Sequence, residues 1–90
     1  MYSNMQIITG LIVKSVSGHD KDRYYVVVRH EPEFVWIADG KRRTLQKPKR
    51  KNVKHLCPTN QKVSIEDYTT DKKIRRLLWE KNESQANGVQ

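Results

Sequence analysis

A small β-barrel followed by one helix is the fold that this 90-residue sequence predicts. Three observations lead there. Short runs rich in β-branched and aromatic residues recur between Leu11 and Leu56, separated by turn formers. Helical spacing occurs once, late in the chain. A chain of this length makes one domain that buries only about 60–65% of its unfolded surface, which favours a small closed sheet over a large cleft.

The elements follow in order. Leu11 to Val16 and Tyr24 to Val28 read as two strands around Ser17 to Arg23, a loop containing Gly18, Asp20 and Asp22. Alternation places Tyr24 and Tyr25 on opposite faces, one in the core and one at the surface. Glu31-Pro32-Glu33 is a second turn, and Phe34 to Ala38 a third strand, ended by a tight hairpin at Asp39-Gly40, where both positions tolerate positive φ. A fourth strand is expected near Arg43. Pro48 cannot donate to a ladder, so Lys47 to Asn52 reads as a loop or edge segment, and Val53 to Leu56 as the fifth strand. Thr69-Thr70-Asp71 can cap a helix from about Asp71 to Lys81, with Ile74, Leu77 and Leu78 on its apolar side. Asn82 to Gln90 has no periodicity and is expected to be disordered. The division is a barrel over 1–66, a helical segment over 67–82 packed on or beside it, and a tail over 83–90.

Charge is the strongest functional signal. Lys41, Arg42, Arg43, Lys47, Lys49, Arg50, Lys51 and Lys54 lie between Lys41 and His55 with no acid among them, whereas the rest of the chain carries ten basic and ten acidic side chains and cancels. The net charge of +8 is therefore local. Such a field suits a polyanion, because phosphate neutralisation with counterion release dominates that kind of binding. Lys49, Arg50 and Lys51 are expected to be solvated and dispensable for folding. The helix cations Lys72, Lys73 and Arg75 are expected to be balanced by neighbouring acids.

Gly10, Val13, the run Ser17-Gly18-His19-Asp20-Lys21 and Tyr25-Val26-Val27 resemble the KOW motif of ribosomal proteins and transcription elongation factors. Ile37-Ala38-Asp39-Gly40, Lys47-Pro48-Lys49 and Lys54-His55-Leu56 look like single-barrel KOW large-subunit ribosomal proteins of archaea and eukaryotes and their small bacterial relatives. The resemblance spans about residues 9 to 60. It implies an SH3-like five-stranded barrel that binds RNA, usually ribosomal RNA, and that associates with ribosomal proteins. Asp22 departs from the pattern, which has glycine there. If the backbone turns left-handed at that position, Asp costs more than glycine.

The expected RNA contacts are the eight cations of the basic segment with His55, and Lys21 and Arg23 from the first loop. Trp36 is either an exposed stacking platform or packed under the helix against Leu77 or Leu78, and the second placement is favoured. His55 and Cys57 share a strand face and could suggest zinc with His19 or His30, but no paired ligand motif accompanies them, and a buried Cys57 is expected instead. No nucleophile elbow, phosphate-cradling loop or paired carboxylates are present, so no enzyme, cofactor or small-molecule substrate is expected. The N-terminal stretch has no positive n-region and no long apolar run, which points to a cytoplasmic protein without membrane contact. The competing function is a protein-interaction barrel docking on RNA polymerase or another translation or transcription factor.

Overall fold

The computed structural model describes residues 6–84. Five antiparallel strands, β1 (Leu11–Ser15), β2 (Tyr24–His30), β3 (Phe34–Ala38), β4 (Lys49–Asn52) and β5 (Leu56–Lys62), form one sheet in the order β4-β3-β2-β1-β5. The edges of that sheet, β4 and β5, are consecutive in the chain and joined only by a 3₁₀ turn, Val53–His55. In a flat sheet they would lie about 19 Å apart, and three 3₁₀ residues span about 6 Å. The sheet must curl, and the result is a small SH3-like barrel. Backbone bonds from Val16 N to His55 O and from Val53 N to Glu33 O, both 3.0 Å, hold the turn in place.

Where the helix lies, both faces of the sheet are covered. Leu11, Val13, Tyr25, Val27, Val35, Ile37 and Leu56 fill the barrel interior, while Ile12, Val26 and Ala38 point outward under the helix α1 (Asp71–Trp79) and meet Ile74 and Leu78. Two-sided burial explains why β1 and β2 are nearly continuous apolar runs instead of alternating polar and apolar residues. Tyr25 is the inward tyrosine; Tyr24 is half-buried beside the helix cluster.

The third strand, the Glu31–Glu33 turn and the helix start agree with the sequence reading. Thr70 caps α1 by accepting from Lys73 N at 3.2 Å. The second half of the sheet differs. No strand forms at Arg43; the chain from Gly40 to Pro48 is irregular, and the fourth strand is instead Lys49–Asn52, at the edge of the sheet as Pro48 argued. Pro48 ends immediately before the ladder, so it forfeits no ladder hydrogen bond. Val53–His55 is the 3₁₀ turn, and the fifth strand begins at Leu56 and tolerates Pro58 because β5 is an edge.

The Asp39-Gly40 hairpin is also a different device. Only Gly40 has positive φ, at 78°. Asp39 is buried, and its Oδ1 accepts the backbone N–H groups of Lys41, Arg42 and Arg43 at 2.9 Å each. A Cβ at Gly40 would strike the carbonyl oxygen of Asp71, so glycine is what lets this turn lie against the start of α1. Arg75 donates to Gly40 O at 2.7 Å and Leu45 N donates to Asp71 Oδ1 at 2.8 Å, fastening the turn to the helix.

The helix ends at Trp79 and passes into a π-helical turn, Glu80–Ser84. Asn82 lies in that turn and brackets the backbone of Tyr24, accepting from its N at 2.7 Å and donating to its O at 2.9 Å. The expected disorder thus does not begin at Asn82; its remainder, 85–90, lies outside the described residues.

Asp22 has φ 73°, the left-handed geometry that the motif's glycine would favour, and its ion pair with Lys14 at 3.7 Å is solvent-exposed and contributes little. Asp22→Gly should therefore raise stability by up to about 1 kcal/mol. Urea denaturation checks this, and a loss of stability would show that the Asp22 carboxylate holds the loop.

Candidate nucleic-acid interface

The basic segment does not present its cations as one block. The first loop reaches over β4 and inserts Asp20, which is 7% exposed, against two of its lysines. Lys51 Nζ donates to Asp20 Oδ1 at 2.9 Å and to Ser17 O at 3.2 Å, and Lys49 Nζ reaches Oδ2 at 3.4 Å. The Ser15 hydroxyl, with one proton, lies 2.9 Å from Asp20 Oδ1 and 3.1 Å from Ser17 O. Burial works against ionisation of Asp20, but the hydrogen bonds from Lys51 and Ser15 and the two lysine charges outweigh it and hold the carboxyl at about 2.

Lys51 itself is buried. The expectation that Lys49, Arg50 and Lys51 are solvated thus fails for Lys51, and Lys49 is partly covered. Their acid comes from the first loop, 29 and 31 residues away in sequence. Arg50, between them, points to the other side of the strand and is exposed.

Two further candidates are engaged by carboxylates, Arg23 half-buried and Lys41 at the surface. Arg23 Nη2 binds Asp39 Oδ2 at 3.1 Å and approaches Glu83 Oε2 at 3.6 Å; Lys41 Nζ lies 3.3 Å from the same Glu83 oxygen. Burial again opposes the charge on Asp39, yet the backbone bonds from Arg43 and Lys41 and the Arg23 guanidinium keep its carboxyl below the usual range. Tyr25 is pushed up to about 12, first by burial and then by the Asp20 and Asp39 charges, so its phenol stays protonated. Lys21, Arg42, Arg43, Lys47 and Lys54 are exposed, and His55 is half-buried.

On the outer face of β2, β3 and β4 the structure gathers a set that sequence reasoning only partly foresaw. Arg29 stacks over the Trp36 ring at 4.2 Å from its centroid, and Arg50 over Phe34 at 3.8 Å. Trp36 pairs with Arg29 on one side and Arg50 on the other, while Phe34 sits diagonally from Arg50. Guanidinium and ring planes therefore alternate across three strands. Trp36 is half-buried beneath Arg29 and is not among the residues packed on the helix cluster, which overturns its expected contact with Leu77 or Leu78. The helix covers the Ala38 end of this face instead. Cross-strand pairing, which a single strand read alone does not reveal, is what identifies Arg29 and Phe34 as members.

Cys57 is exposed, not buried, because β5 is an edge strand and Cys57 lies on its solvent side. Among the described residues no group of three or more His, Cys, Asp or Glu could hold a metal ion, and no helix is long and apolar enough to cross a membrane. No family model matches the chain.

Lys51→Ala should cost about 3–5 kcal/mol, because it leaves the buried Asp20 carboxylate without its main partner, whereas Arg50→Ala should stay within about 1 kcal/mol; thermal denaturation of both variants checks the contrast. The folded pKa of Asp20 is depressed from 3.8 to about 2. Its contribution is therefore present above about pH 4 and is lost as pH falls toward 2, amounting to about 2 kcal/mol. An NMR titration of the Asp20 carboxyl should show a midpoint near 2, and an unshifted midpoint would refute the buried pair.

Proposed function

We propose that this protein is a noncatalytic RNA-binding module. The observation that carries the reading is the alternation of guanidinium and aromatic planes, Arg29, Trp36, Arg50 and Phe34, on the outer face of β2 to β4, the last of which is part of the basic segment. Sequence-tolerant recognition of single-stranded RNA needs both components: cations that neutralise phosphates, and planes on which unpaired bases stack. Arg42, Arg43, Lys47, Lys54 and the first-loop Lys21 supply the charge. Arg29 and Arg50 offer guanidinium surfaces for bases, with Trp36 and Phe34 holding those surfaces flat against the sheet. The left-handed backbone at Asp22 supports the KOW-like reading of the first loop, and with it ribosomal RNA as the target class.

Lys49, Lys51 and Arg23 are committed to carboxylates, so fewer phosphates are within reach than the raw charge suggests. Four to six contacts on a single strand give a slope of log K against log salt of about −3 to −4. Fluorescence anisotropy with a labelled oligoribonucleotide across a salt series measures it. Arg29→Gln with Arg50→Gln should weaken binding at least about tenfold while leaving the fold intact, since both side chains are exposed. Binding that ignores salt and survives this double substitution would instead favour the protein-interaction barrel.

A further inference from the structure

On the helix side of the molecule lies a cleft of about 470 Å³ that shares no residue with the stacked face. Its floor is the Asp39–Lys41 turn, and one wall is α1, from which Lys72, Arg75, Arg76 and Trp79 project at i, i+3, i+4 and i+7 spacing along one side. Five cations, Arg23, Lys41, Lys72, Arg75 and Arg76, line it against two carboxylates, Asp39 and Glu83. The helix cations are therefore not balanced by nearby acids as their sequence context suggested. Asp71 is turned away to accept from Leu45 N.

Two details point to a ligand. Trp79 is 53% exposed at the cleft, an unusual position for an indole in so small a domain. The carboxylate of Glu83 sits between Arg23 and Lys41 at 3.6 and 3.3 Å, longer than the 2.7–2.9 Å of a well-formed charge-assisted bond. The Glu83 carboxylate is thus a loosely held anion in a site where cations outnumber acids.

We propose that this cleft is a nucleotide site. A phosphate displaces the Glu83 carboxylate and binds Lys41, Lys72 and Arg76, while the base stacks on the Trp79 indole. The phosphate brings more acceptor oxygens than the carboxylate it replaces, and the base covers apolar surface that the free protein leaves wet. The ligand chemistry is the same whether the nucleotide is free or belongs to an RNA strand, and it does not depend on the stacked face across β2 to β4.

The test follows the two indole N–H signals by NMR, with Trp79→Phe assigning them. The probes are adenosine 5′-monophosphate, adenosine, inorganic phosphate and a short 5′-phosphorylated oligoadenylate. The monophosphate should move the Trp79 signal saturably and at least about tenfold more tightly than adenosine, with inorganic phosphate competing. Glu83→Gln should tighten binding about threefold by removing the resident charge, and Lys72→Gln with Arg76→Gln should weaken it about tenfold; all three positions are on the surface or its margin, and unfolding curves confirm that the variants fold. A Trp79 response to the oligonucleotide alone, lost in the double variant, assigns the site to a nucleotide within a chain and still supports it. No Trp79 response to any probe, a response unaffected by the double variant, or weaker binding by Glu83→Gln would overturn it.

Discussion

The ion pair between Asp20 and Lys51 is the constraint on which the rest of the arrangement depends. It ties the loop between β1 and β2 to the far edge of the sheet, and does so with a buried charge that must be matched or removed. Because Lys51 is drawn inward, strand alternation sends Arg50 outward onto Phe34, and from there the order of planes across β3 and β2 follows from register. Asp39 does a comparable job for the neighbouring stretch. One of its oxygens collects three backbone N–H groups and the other holds Arg23, so the most basic part of the chain is shaped by two acids that lie outside it.

This division of labour resolves an apparent contradiction in so cationic a segment. A run of lysines and arginines would ordinarily repel itself into an extended, solvated loop. Here Lys41, Lys49 and Lys51 are neutralised from the protein side, Arg50 is held outward on Phe34, and the remainder face solvent.

Much of the barrel was legible because its strands bury both faces, leaving uninterrupted apolar runs at β1, β2 and β3 that composition alone marks. The helix was legible from Ile74, Leu77 and Leu78 and from the Thr70 cap. The second half of the sheet was not. Its fourth strand, Lys49–Asn52, has no β-branched residue and is strand only because Asp20 and the β3 ladder hold it. Helix cations looked balanced because Asp71 is close in sequence, whereas in space its carboxylate serves Leu45. In each case the missing information was a partner remote in the chain, and local pattern carries no signal for it.

The order of strands also sets the order of events during folding. β1 lies between β2 and β5, and its partners on the β5 side run from Leu56 to Lys62. β1, β2 and β3 can form a local meander early, through turns that need only neighbouring residues. One flank of β1 then stays open until the chain beyond the basic segment returns, a closure across more than half the domain's sequence and so entropically slow. During synthesis this leaves a bare, apolar strand edge beside the emerging lysines and arginines. Their mutual repulsion between chains would keep two such half-built sheets apart, so the same charge that marks the finished surface also guards the unfinished one.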